Sequence, residues 1–249
     1  MELTTIILVG LVVVFTGISK SAFAGALGVF AVPLLILKLP VAEAVGLMLP
    51  ILIIADLMSV KSYWRMWDTS LIYKLIPGAL IGVLIATLML DSINSNIIGA
   101  IISLTCVLFS VKNLYFKKVE LSILKGTKGA YVMSLLSGLT STIVHAGGPP
   151  LIMYFTAIGL SPTKFVATTA AFFATINLFK MVSAISVGLF TFDMWLYALA
   201  FAPLAIFGNW VGLKIHDKIN KAVFLNVMNY FLLILGLWLA YKHSIVMLI

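Results

Sequence analysis

Apolar residues fall in ten runs along the chain, at roughly 4–19, 22–37, 42–60, 71–90, 97–111, 129–144, 149–160, 165–190, 194–213 and 222–241. A helix needs about 20 residues to cross the hydrocarbon core of a bilayer, and most of the runs approach that length. The pattern predicts an all-α polytopic membrane protein with short connections. The longest polar connection runs from Lys112 to Lys128, holds five lysines, one glutamate and Gly126, and divides the chain almost in half. The expected organisation is a single transmembrane domain over 1–249. It has repeat one at about 1–116, a cytoplasmic linker at about 112–128 and repeat two at about 129–249.

The two halves resemble each other at polar and helix-breaking positions. Gly17-Ile18-Ser19 matches Gly138-Leu139-Thr140, and Asp56-Leu57 matches Asn177-Leu178, both at an offset of 121. Further on the offset is 126: Pro77 matches Pro203, Gly82 matches Gly208, and Asp91-Ser92-Ile93-Asn94 matches Asp217-Lys218-Ile219-Asn220. Similarity confined to leucines would mean little in an apolar chain; matched prolines, glycines and aspartates indicate an internal repeat.

Lysine and arginine placement orients the repeats. With four simple crossings per half and an inside N-terminus, nine of these charges fall inside and five outside, a weak bias. If each half instead opens with a broken helix or helical hairpin, twelve fall inside and only Lys38 and Lys242 outside, with Lys20 and Lys180 left within the membrane. The breaks are expected at Ser19–Ser21 and Ala146–Pro150. Each half then has a broken helix or hairpin followed by three transmembrane helices. The segment number is odd, so the second half is inverted relative to the first and both termini lie outside. Inverted repeats with broken helices are a common architecture of secondary transporters.

Composition agrees. Apolar residues make up 63% of the 249 and charged ones 10%, against roughly 45–50% and about 25% in soluble domains; mean hydropathy is +1.20. A soluble enzyme, a disordered chain and a coiled coil are excluded. The net charge of +8 is spread between apolar runs rather than along one basic stripe, so it reads as topology signal and not as a nucleic-acid surface. The lone Cys106 allows no intrachain disulfide. No metal or cofactor site is expected: Walker loops, dinucleotide fingerprints and HExxH are absent from the sequence, and ATP-driven transport would need another subunit. Met1-Glu2-Leu3 lacks the basic region of a signal peptide, so the first helix is expected to stay in the mature protein.

Candidate chemistry gathers at the two expected breaks. The first tip carries Ser19, Lys20, Ser21, Gly25 and Gly28, and the second Ser141, Thr142, His145, Gly147, Gly148 and Pro149. Broken helices in a bilayer survive only when buried or lining a cavity. Their free N–H groups and dipole favour an anion, and serine and threonine hydroxyls add donors. The alternative is that small residues merely let helices pack closely. Lys20 is positioned to neutralise an anion, unless it snorkels to a surface. His145 is either a proton-coupling group or a neutral histidine bonded within the fold. Asp56 has three readings: a partner of Lys20 in the empty site, a proton carrier, or a residue near the inner surface beside Lys61. Asn177 is its repeat mate. Lys180, one turn after Asn177, shares its face and is either a second anion-facing charge or a snorkelling one.

The glycine-rich first tip ending in Pro33-Leu34-Leu35, and Gly147-Gly148-Pro149-Pro150-Leu151 in the second, each open one half of a membrane protein of this length. In this the chain resembles the sulfite exporter TauE/SafE family over nearly its whole length. It differs in carrying Ala24-Gly25-Ala26-Leu27-Gly28 where many members have a run of glycines. The resemblance implies transport of a small sulfur-containing anion, such as sulfite, a sulfonate or a related organosulfur compound, across the bacterial inner membrane. The expected partners are that anion, the lipid bilayer and, as a candidate coupling ion, the proton. Three other readings stay open: an anion channel, a membrane scaffold with short loops, and an intramembrane enzyme using Ser141 or Thr142 activated by His145.

Overall fold

The computed structural model describes residues 2–23, 25–90, 95–116, 124–186, 192–215 and 221–248. Ala24 of the first tip, Lys117, Lys118 and the rest of 117–123 in the linker, and the matched stretches Asp91–Asn94 and Asp217–Asn220 with Lys218 lie outside the described residues.

Among the described residues, each apolar run is mostly helical. The first half contains α1 (Leu3–Ala22), a 3-10 turn (Ala26–Phe30) continuing into α2 (Ala31–Leu35), then α3 (Val41–Ser62), α4 (Thr69–Leu90) and α5 (Ser95–Tyr115). The second contains α6 (Thr127–Val144), α7 (Gly148–Ala157), α8 (Pro162–Ser186), α9 (Phe192–Ile215) and α10 (Lys221–Leu248). Among the described residues, α1, α3, α4, α8 and α9 are long and apolar enough to cross a membrane, with spans of 20 to 24 residues. Their outer faces expose large apolar side chains such as Leu11, Leu88, Val182 and Leu199. Such faces suit lipid, which solvates hydrocarbon as well as another helix does.

The interior holds the polar groups. Many hydroxyls are satisfied within their own helix: Thr16 donates to Val12 O at 2.8 Å, Thr87 to Val83 O at 2.9 Å and Ser110 to Cys106 O at 2.7 Å. This back-bonding lets serine and threonine sit in an apolar helix without breaking it. It also moves the first break. Ser19–Ser21 does not interrupt α1, because the Ser21 hydroxyl lies 3.1 Å from Gly17 O. The helix continues to Ala22, and Phe23 and Gly25 lie outside it.

The two turns close alike. Gly25 N–H donates to Ser19 O at 2.9 Å, and Ala146 N–H to Thr140 O at 3.2 Å; both pairs of residues are separated by 121 positions. Gly25 holds φ of 71° and His145 φ of 54°. Glycine takes the left-handed region freely, and histidine is among the side chains enriched there.

Helix contacts also come in pairs. α1 packs on α9 and α6 on α4; α3 packs on α9 and α8 on α4; α3 meets α8, and α5 meets α10. At the closest approaches a glycine of one helix lies on the backbone of the other. Gly17 faces Ala205 and Asn209, Gly138 faces Ala79, Gly208 faces Val14, and Gly82 faces Leu135. Prolines lie inside α3 (Pro50), α4 (Pro77) and α9 (Pro203) without ending the helices, as transmembrane helices tolerate. Of the long spans, α3 and α8 are the most enclosed, and they carry Asp56, Asn177 and Lys180.

Candidate functional site

Four elements bring one polar chain together in the interior. Lys20, in the last turn of α1, places Nζ 2.6 Å from Asp56 Oδ1 on α3. Asn177 on α8 donates its Nδ2 to Asp56 Oδ2 at 2.7 Å. Asn177 Oδ1 accepts from Lys180 Nζ at 3.1 Å. Lys180 also donates to Ser141 O at 2.7 Å and lies 3.1 Å from Ser141 Oγ, both on α6, and 2.9 Å from His145 Nδ1. His145 Nε2 lies 2.9 Å from Val45 O, back on α3. The chain therefore runs unbroken from one tip to the other. Asp56 is 0% exposed, Lys180 3% and Lys20 6%.

The network fixes its own orientations. Val45 offers a carbonyl, which only accepts, so Nε2 carries a proton and Nδ1 faces the lysine. Reversing the Asn177 amide would aim its NH2 at the Lys180 ammonium. Ionisable groups taken this far from water need partners. Among the described residues, Lys20, Asp56, His145 and Lys180 are the buried lysine, histidine and carboxylate side chains, and each has one.

Phe173, one turn before Asn177 on the same face of α8, lies between the tips. Lys20 Nζ sits 4.5 Å from its ring centroid, within cation–π range. A Cβ on Gly25 would stand 3.9 Å from its Cε2, and one on Gly147 2.9 Å from its Cε1. Gly147 is further enclosed by the Ser141 side chain and the Ser137 carbonyl, while Ser137 Oγ donates to Gly147 O at 2.6 Å. Gly28 closes the tip-to-tip contact: the nearest atom to a Cβ there is His145 O, at 3.7 Å.

The structure thus gathers Lys20, Gly25, Gly28, Asp56, Ser141, His145, Gly147, Asn177 and Lys180. Asp56 is fully buried rather than near a surface beside Lys61. Ser19 is buried in the last turn of α1, its carbonyl accepting from Phe23 and Gly25. Two candidates point elsewhere. The Ser21 hydroxyl is 2.9 Å from Asn209 O on α9, where it serves the α1–α9 contact, and Thr142 donates to Gly138 O of its own helix at 2.9 Å. Gly148 begins α7, but Pro149 and Pro150 follow it. Two residues of that first turn therefore lack an N–H, and the helix end offers fewer donors than a broken helix suggests. Positive charge at the site comes from lysine side chains. Phe173, Ser137 and Val45 carry no sequence signal beyond the spacing of Phe173 to Asn177 and Lys180 on one helical face.

An intramembrane hydrolase needs a hydroxyl bonded to the imidazole. His145 spends its two nitrogens on Val45 O and Lys180. The arrangement is instead a closed, charge-bearing junction between two helix tips.

The sulfite exporter TauE/SafE family model matches residues 9–239. No curated protein and no solved structure matches the chain. The family match spans the tips, the helices between them and nearly all of the bundle, and with it the chain belongs to the sulfite exporter TauE/SafE family, whose members are membrane transporters and not enzymes.

Proposed function

We propose that the protein exports a small sulfur-containing anion, such as sulfite or a sulfonate, across a bacterial inner membrane. It does so by alternating access around the two tips. The observation that carries this reading is the buried chain from Lys20 through Asp56 and Asn177 to Lys180 and His145. It joins groups from both halves at the one place where both tips meet, so a movement of either half must break and remake it. Two lysines against one carboxylate give the junction an excess of positive charge, which an anion would meet there. Export of a monovalent anion from a cell with a negative interior is driven by about 2.3 kcal/mol per charge per 100 mV; a proton is the candidate coupling ion, taken up on Asp56 or His145.

The two halves act as inverted repeats in this reading, with repeat one at about 1–116 and repeat two at about 129–249. Support comes from the matched turn bonds at Ser19/Gly25 and Thr140/Ala146 and from the paired helix contacts. Gly17 on Ala205 and Gly138 on Ala79 exchange under the sequence offsets of 121 and 126. An odd number of segments per half puts both termini outside and the 112–128 linker inside. Lys125 and Glu2 are exposed, so cysteine labelling checks this. With Cys106 replaced by serine, a membrane-impermeant maleimide is expected to label Glu2→Cys in intact cells and Lys125→Cys only after permeabilisation. The reverse pattern would overturn the orientation.

The substrate is tested by uptake of radiolabelled sulfite into proteoliposomes, with sulfate, chloride and a small sulfonate as competitors. Saturable uptake blocked by the sulfonate and not by chloride is expected. Absence of sulfite uptake by folded protein would remove the substrate assignment.

A further inference from the structure

The buried cluster carries an odd charge. Lys20 and Asp56 form a close pair whose net charge is zero whether the proton rests on the amine or the carboxylate. Lys180 and His145 are different. Three of the atoms around Lys180 Nζ only accept in this arrangement: Ser141 O at 2.7 Å, Asn177 Oδ1 at 3.1 Å and His145 Nδ1 at 2.9 Å. A neutral amine has two N–H groups and an ammonium three. Three acceptors therefore call for the ammonium facing a neutral imidazole. Moving one proton from Nζ to Nδ1 leaves the sum unchanged. Charging both groups would set proton against proton across 2.9 Å. In the arrangements that satisfy all three acceptors, the Lys180–His145 pair holds one positive charge, beside the Lys20–Asp56 pair whose own charges cancel. Among the described residues, Asp56 is the one buried carboxylate, and Lys20 occupies it.

We infer that this single uncompensated charge on Lys180 and His145 is the counter-charge of the transported anion, and that it selects a singly charged one: hydrogensulfite or a sulfonate, over sulfite dianion or sulfate. The inference rests on the transport reading above and adds to it. An isolated buried charge is costly, and a monovalent anion restores neutrality, whereas a dianion leaves an excess negative charge in the same low-dielectric interior. Lys20 has a positioning role in this scheme: it holds Asp56 neutralised so that Lys180 keeps its charge for the substrate.

The test is binding and proteoliposome uptake of methanesulfonate, a monoanion, against sulfate, a permanent dianion at neutral pH with a similar oxygen face. Wild type is expected to bind methanesulfonate and to discriminate against sulfate. Lys180→Gln is expected to bind methanesulfonate roughly tenfold to a hundredfold more weakly, the loss of a charged hydrogen bond. Lys20→Met, which leaves Asp56 to cancel Lys180, is expected to fall as far. Lys20→Met combined with Asp56→Asn restores the single positive charge and is expected to recover part of that loss. Equal affinity of wild type for sulfate and methanesulfonate overturns the inference without any variant. So does a folded Lys180→Gln protein that transports methanesulfonate as wild type does, and that result leaves the transport reading standing. A folded wild type that moves neither methanesulfonate nor sulfite overturns both.

Discussion

Lys20→Ala is expected to abolish anion flux and to lower the stability of the detergent-solubilised protein by about 3–5 kcal/mol, the cost of breaking a buried ion pair from one side. The size follows from what remains. Asp56 is 0% exposed, and without Lys20 its carboxylate keeps only the Asn177 amide, at 2.7 Å. Its full burial keeps bulk solvent from replacing the 2.6 Å ammonium contact. Thermal denaturation followed by size-exclusion checks the stability, and the combination with Asp56→Asn separates the two effects. Removing both charges is expected to return most of the stability, because the buried pair contributes little net energy and its half-removal is the costly event. A Lys20→Ala protein as stable as wild type would mean that the pair does not hold the tips together.

Gly17→Leu is expected to prevent assembly of the bundle. A Cβ at Gly17 would lie 2.7 Å from Asn209 N and 2.9 Å from Gly208 C, and closer still to Ala205 O. All three are backbone atoms of α9 and cannot rotate away. The helices would have to separate along the whole α1–α9 contact, so the cost exceeds the roughly 1–3 kcal/mol of ordinary core overpacking. Gly138→Leu meets the Ala79 backbone on α4 in the same way and is expected to share this fate. Gly10→Ala is the contrasting case. Its nearest neighbour is the Leu204 Cδ1 methyl at 3.2 Å, the end of a flexible side chain, and it is expected to be tolerated. The yield of monodisperse protein after detergent extraction separates the tolerated variant from the other two.

The helices and the family were legible in the sequence because they depend on local pattern. Run length sets a membrane helix, and glycine with proline marks a tip. The location of the first break was not, since Ser19–Ser21 looks polar along the chain but Ser21 is satisfied by Gly17 O one turn back. Asp56 lies five residues before Lys61, which suggests a surface; depth depends on how α3 is enclosed by α8 and α9, and no local pattern records that. Lys20, Asp56, Asn177 and Lys180 stood out individually as charges and amides in apolar runs. Their order in one chain required the crossing of α3 and α8. Phe173, Ser137 and Val45 contribute a ring, a hydroxyl and a carbonyl, groups that every membrane helix carries in number, and only their neighbours mark them.

The central claim is that two helix tips alternate around a buried anion, and counterflow addresses it most directly. Proteoliposomes are loaded with unlabelled sulfite and diluted into labelled sulfite. A carrier that reorients around one site is expected to take up label faster than empty vesicles do and to accumulate it transiently above the outside concentration, with a sulfonate inside substituting for sulfite. Flux that is independent of internal substrate would identify an open pore and contradict alternating access at these tips.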